Sequence, residues 1–79
     1  MKVQVLFFGA TAETVGRREI KIDAKTGAKT GDVFQQIIAD FPQLGKHSLL
    51  FAVNQEYSKG NETINNGDEL AIFTAVSGG

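Results

Sequence analysis

The sequence predicts an α+β domain in which one main helix packs across one face of a mixed β-sheet. Three observations carry that prediction. Two N-terminal segments, Lys2–Phe8 and Arg17–Asp23, alternate their residues with a period of two. One later segment repeats apolar residues at three- and four-residue intervals: Val33, Phe34, Ile37, Ile38 and Phe41. Two more apolar runs of strand length, 49–54 and 69–73, follow it.

At 79 residues the chain can build one small core, and 42% hydrophobic with 22% charged residues matches an ordinary globular protein. The formal net charge of -1 supplies no field that would gather nucleic acid or an anionic membrane surface, so neither is expected as a partner. Cysteine is absent, which removes disulfides, thiolate metal sites and cysteine nucleophiles by inventory. His47 is the one histidine, flanked by Lys46 and Ser48, and reads as a solvated loop side chain rather than a ligand. No metal is assigned. No apolar run approaches the ~20 residues of a membrane span, and a cytoplasmic protein is expected.

In chain order, the first strand is Lys2–Phe8. Gln4 between two valines sets the parity, which places Val3, Val5 and Phe7 in the core and leaves Leu6 and Phe8 on the other face. Those two are covered by a loop or form a surface for another protein. Residues 9–16 are bounded by Gly9 and Gly16 and read as one helical turn held by packing. Arg17–Asp23 alternates charge with isoleucine, which predicts a strand solvated on one face and antiparallel to the first. Gly27-Ala28-Lys29-Thr30 resembles a fragment of a phosphate-binding loop, but Ala28 and Asp23 stand where that motif needs glycine. The stretch is a loop into the helix, with Thr30 as expected N-cap and Asp32 near the positive helix end. Gln35, Gln36 and Asp40 form the wet side, and Pro42 ends the helix near Asp40 or Phe41.

Leu49–Asn54 is apolar enough for an interior strand covered on much of both faces. Asn54-Gln55 turns the chain into a short segment, Glu56-Tyr57-Ser58. Turn-rich residues follow, among which Ile64 alone is placed in the core. Glu69–Phe73 is the last strand, with Leu70 and Ile72 on one face and Ala71 and Phe73 on the other. Placing the first and last strands side by side at the sheet centre gathers Leu6, Phe8, Ala71 and Phe73 on one open face.

That strand runs straight into the residues that follow, so the chain divides into a domain, 1–73, and a tail, 74–79. Gly78 and Gly79 have no Cβ and present an unhindered terminal carboxylate. Extended, the tail spans about 20 Å, enough to enter the active site of a partner enzyme. A frayed, inert end is the competing reading.

The order strand, strand, helix, strand, short strand, strand is the β-grasp plan. Within it, Val5-Leu6-Phe7-Phe8-Gly9, Ala52-Val53-Asn54-Gln55, Asn66 to Phe73 and Val76-Ser77-Gly78-Gly79 together resemble the small subunit of molybdopterin synthase, a ubiquitin-like sulfur carrier. The chain departs from that pattern at Thr74-Ala75, where many relatives carry prolines, and in the Lys25 to Gly31 loop. The thiamine-pathway sulfur carriers share only the fold and the Gly-Gly end, and a ubiquitin-like protein modifier would share the tail chemistry.

The resemblance implies no cofactor on this chain. An ATP-dependent enzyme would adenylate the carboxylate of Gly79, and a sulfur donor such as a cysteine desulfurase or rhodanese-like protein would convert it to a thiocarboxylate. The large subunit of a heterotetrameric synthase would then supply the catalytic groups, the sulfur passing to a pterin precursor. Val76, Ser77 and Gly78 would form the tail that carries Gly79, with Val76 as a further apolar contact. Leu6, Phe8 and Phe73 are expected to form the partner interface.

Overall fold

The structure, a computed structural model, describes residues 1–75. Its elements are β1 (Lys2–Phe7), α1 (Ala10–Val15), β2 (Glu19–Asp23), α2 (Thr30–Asp40), a 3-10 turn (Pro42–Lys46), β3 (Leu49–Val53), β4 (Glu56–Tyr57) and β5 (Glu69–Thr74). The five strands form one sheet in the order β2-β1-β5-β3-β4. β1 and β5 run parallel at its centre, and the other neighbours are antiparallel. This is the β-grasp architecture, with α2 across one face.

Strand parity decides which side chains are buried. Val3 and Val5 on β1, and Leu70 and Ile72 on β5, have no exposed surface, and Phe7 is nearly as buried. α2 contributes Val33 and Ile37 to the same core, with Phe34, Ile38 and Phe41 packed around them. The rings of Phe34 and Phe51 stack at 4.6 Å, joining α2 to the helix side of β3.

The helix ends as its sequence dictates. Phe41 caps it by donating its N–H to the Ile37 carbonyl at 2.8 Å, and Pro42, which cannot continue an α-helix, opens the 3-10 turn. That turn drives Leu44 fully into the core, a position the polar surroundings of Leu44 concealed in the sequence. The helix start differs from expectation. Lys29, not Thr30, is the N-cap, and its N–H is accepted by Asp32 Oδ2 at 3.0 Å. The Thr30 hydroxyl is committed elsewhere, donating to the Glu62 carbonyl at 3.2 Å from a buried position.

Residues 54–68 turn β3 into β4 and then pass the start of α2. Asn54 and Gln55 have φ of 49° and 72°, the left-handed pair that a two-residue hairpin needs to join β3 to β4. Asn54 is held there by its side chain, which donates to Asp68 Oδ1 and accepts from the Glu69 N–H, both at 3.1 Å. The chain then runs past the start of α2, where the Thr30 and Gly31 amides each reach carbonyls of Glu62 and Gly60 at 2.8 Å. Gly31 is required by that approach: a Cβ there would lie 3.0 Å from the Gly60 carbonyl oxygen. Ile64, fully packed, closes this end of the core as its isolated hydrophobicity foretold. Glu62 accepts a 2.6 Å bond from the Ser58 hydroxyl, which with nearby backbone amides holds its carboxyl below the usual glutamate range.

Several boundaries shift. β1 stops one residue before Phe8, and β2 begins at Glu19 rather than Arg17. β5 continues through Thr74, which the sequence assigns to the tail.

Candidate functional site: the open sheet face and the exit of β5

On the face of the sheet opposite α2, Leu6 and Phe8 border a cleft that is also lined by Ala12 and Glu13 of α1 and by Gly16, Arg17 and Arg18 after it. Register builds the face. On β1 and β5, Leu6 lies beside Ala71 and Phe7 beside Ile72, so the next step brings Phe8 beside Phe73. β3 adds Leu50 opposite Phe73 and Ala52 opposite Ala71, and β4 adds Tyr57 opposite Ala52. Phe8 is 52% exposed, Leu50 39% and Tyr57 77%. The Tyr57 and Phe73 rings meet at 5.8 Å, so Phe73 is half-covered from within the 54–66 segment, by the side chain of Tyr57 on β4. The structure places Leu6, Phe8 and Phe73 on one face, as parity predicts, with Leu6 and Phe73 half-buried and Phe8 exposed.

Leu50 and Tyr57 belong to the same surface and were not singled out by the sequence. The Leu49–Asn54 run was expected to be covered on much of both faces, and within β3 Leu50 alone is exposed while Ala52, on the same face, is buried. β3 packs Phe51 toward α2 while Leu50 faces outward. A continuous apolar run carries no parity signal. The usable clue was the alignment of Leu50 with Phe73 in an antiparallel pairing.

The end of the site nearest the tail is held from three sides. Thr74 pairs with Leu49, and the Ala75 N–H donates to the Ser48 carbonyl at 2.9 Å. Thr11, buried on α1, has its hydroxyl 2.9 Å from the Ile72 carbonyl and 2.7 Å from the Phe8 carbonyl, and the Thr11 Oγ1 also accepts the Phe8 N–H. One hydroxyl therefore ties the ends of β1 and β5 to α1. His47, expected to be solvated, is half-buried with its Nε2 2.9 Å from the Thr14 hydroxyl. Val76, Ser77, Gly78 and Gly79 lie outside the described residues.

Among the described residues, no group of three or more His, Asp or Glu side chains could hold a metal ion. No helix among them is long and apolar enough to cross a membrane. Apart from the Lys2–Asp23 pair at 2.8 Å, no ion pair forms among them. That exposed pair holds the Asp23 carboxyl below its ordinary range through the hydrogen bond and charge of Lys2.

A five-stranded mixed sheet with two parallel central strands and one helix across a face defines a class: a small ubiquitin-like β-grasp domain. Comparison with known proteins narrows that class. The ThiS family model matches residues 5–79, and the chain belongs to this family. It is 39% identical to the molybdopterin synthase sulfur carrier subunit of Chlamydomonas reinhardtii, with all of both chains covered. The solved structure of SAMP1 from Haloferax volcanii matches with a TM-score of 0.89 at 27% identity, again over the whole of both chains. A chain in the Helicobacter pylori complex of subunits 1 and 2 of molybdopterin-converting factor shares the fold, with a TM-score of 0.71 at 22% identity and full coverage of both chains.

Proposed function

We propose that this chain is the sulfur carrier of a molybdopterin synthase, bearing its sulfur as a thiocarboxylate on Gly79. The observation that carries the proposal is the position of β5. The strand ends at Thr74 beside the face that carries Leu6, Phe8, Leu50, Tyr57 and Phe73, so a partner docked on that face adjoins the point where β5 ends. Full-length identity to a sulfur carrier subunit supports the same reading. Extended, residues 76–79 add about 13 Å of reach beyond Ala75.

The chemistry follows from the group available. A terminal carboxylate with a pKa near ~3.5 is ionised and unreactive toward nucleophiles at neutral pH. Attack of that carboxylate on the α-phosphate of ATP, in an activating enzyme, releases pyrophosphate and leaves an acyl-adenylate. The terminal sulfur of a donor persulfide then displaces AMP to give an acyl disulfide. A second thiol cleaves it, forming a protein disulfide and releasing the thiocarboxylate. In the complex with the large subunit, which holds the catalytic groups, the sulfur attacks a pterin precursor. The carboxylate is regenerated on hydrolysis, and two carriers are consumed for the two sulfurs of one dithiolene. The chain acts as a recycled co-substrate in the cytoplasm, and Val76, Ser77 and Gly78 thread the tunnel that leads to the reacting centre.

Deleting Gly79 tests this. The variant should melt like the parent and lose adenylation and thiocarboxylate formation with its cognate activating enzyme, since the reacting carbonyl is displaced while the core is untouched. Gly78→Val should come close to the same loss through bulk. Normal thiocarboxylate formation without Gly79 would overturn the proposal. An isopeptide bond from Gly79 to lysines of other proteins, with no thiocarboxylate, would instead make the chain a modifier.

A further inference from the structure

β2 is an edge of the sheet, and its hydrogen-bonding groups alternate between used and unused. The register with β1 pairs residues whose numbers sum to one value, Lys2 with Asp23 through Leu6 with Glu19. The Phe7 N–H donates to the Arg18 carbonyl and the Ala24 N–H to the Met1 carbonyl, which fixes the hydrogen-bonded pairs along the same ladder. Ile20 and Ile22 therefore turn their backbone groups toward Val5 and Val3. Glu19, Lys21 and Asp23 turn theirs outward, away from the sheet. The Asp23 carbonyl is occupied, accepting from Gln36 Nε2 at 3.0 Å. The N–H and C=O groups of Glu19 and Lys21 are left facing solvent in an extended backbone, a template for another strand.

The side chains along this edge say which strand. Arg17, Glu19, Lys21, Asp23 and Lys25 alternate in sign at every second position. A twofold-symmetric pairing of β2 with a second β2 must be antiparallel. With Ile20 opposite Ile20, each Glu19 faces the other chain's Lys21, so the charges at the paired strand positions are complementary. With Lys21 opposite Lys21, Glu19 meets Asp23 and the charges clash throughout. The first register also uses only the free groups of Glu19 and Lys21, leaves the Gln36 bond intact, and brings two half-buried Ile20 side chains together at the closer, non-hydrogen-bonded position.

We propose that two copies of this chain associate through β2 in the Ile20-centred register, forming one ten-stranded sheet. The inference stands apart from the sulfur-carrier reading, because it uses the edge farthest from β3 and β4 and does not involve the tail. The charges on the pairing strand are Glu19, Lys21 and Asp23 of each chain, with Arg17 just before it. Lys2 lies behind them, paired to Asp23, and Gln4 Nε2 donates to Glu19 Oε2.

Sedimentation equilibrium of the full chain from micromolar to millimolar concentration, at low and high salt, reads this directly. The wild-type chain should show a weak, salt-sensitive monomer–dimer equilibrium. Lys21→Glu opposes Glu19 to a glutamate twice per dimer and should weaken association about tenfold or more. The double variant Glu19→Lys with Lys21→Glu restores opposite charges in the same register and should recover most of the loss. Lys21→Pro removes an outward N–H without touching the β1 ladder and should also abolish the dimer. A chain that stays monomeric to millimolar concentration overturns the proposal. So does a dimer that ignores Lys21→Glu, or a double variant no tighter than the single one.

Discussion

The two faces of the central strands are built from the same residue types and end in opposite environments. On β1 and β5 the side chains toward α2, Val3, Val5, Leu70 and Ile72, have no exposed surface, while Phe8, one step past β1 on the other face, is 52% exposed. Phenylalanine occurs on both sides: Phe7 meets Phe41 edge-on at 6.0 Å inside the core, and Phe73 meets Tyr57 at the surface. Hydrophobicity alone thus does not say what a residue is for in this fold. The parity of the strand does, because it decides whether the side chain holds the domain together or remains available to another protein.

This contrast can be broken at graded depth. Ile37→Ala on α2 deletes buried volume that α2 and the sheet share, and should lower stability by about 2 to 5 kcal/mol. Chemical denaturation checks it, and Leu44→Ala should fall in the same range because its site is equally closed. A melting curve like that of the parent would show that the helix face is not the core. Thr11→Val keeps the shape but removes the hydroxyl that ties α1 to the Ile72 and Phe8 carbonyls. It should cost about 1 to 2 kcal/mol and speed amide exchange at the ends of β1 and β5. Equal exchange rates would dismiss that clamp. Phe73→Arg, on the open face, should leave the melting temperature within a few degrees while weakening the complex with the large subunit more than about tenfold, as expected for a central aromatic anchor. A variant that unfolds first would place Phe73 with the core instead.

Much of this architecture was legible in the sequence, and the exceptions share a cause. The interval pattern of Val33, Phe34, Ile37, Ile38 and Phe41 defined α2, and Gln4 between two valines defined the faces of β1, because each signal is local and periodic. The central pairing of β1 with β5 followed from the β-grasp plan that the order of elements indicates. Leu44 was missed because a five-residue 3-10 turn has no period to read. Thr30 was taken for the N-cap on its side-chain preference, yet the cap position went to Lys29 because the Thr30 hydroxyl serves a carbonyl 32 residues away. Leu50 and Tyr57 were missed on the open face for a similar reason: their role is set by partners across the sheet.

The face and the exit of β5 matter to the proposed function only if the chain end is chemically loaded. The most direct measurement is the mass of the C-terminal fragment cut from protein purified from its own cells. The fragment should appear in two forms, one heavier by the exchange of a single oxygen for sulfur, and the heavier form should vanish when Gly79 is removed. Isolating the fragment avoids confusion with oxidation of Met1, which adds almost the same mass. A fragment carrying only oxygen, from cells that are making the cofactor, would contradict the carrier role.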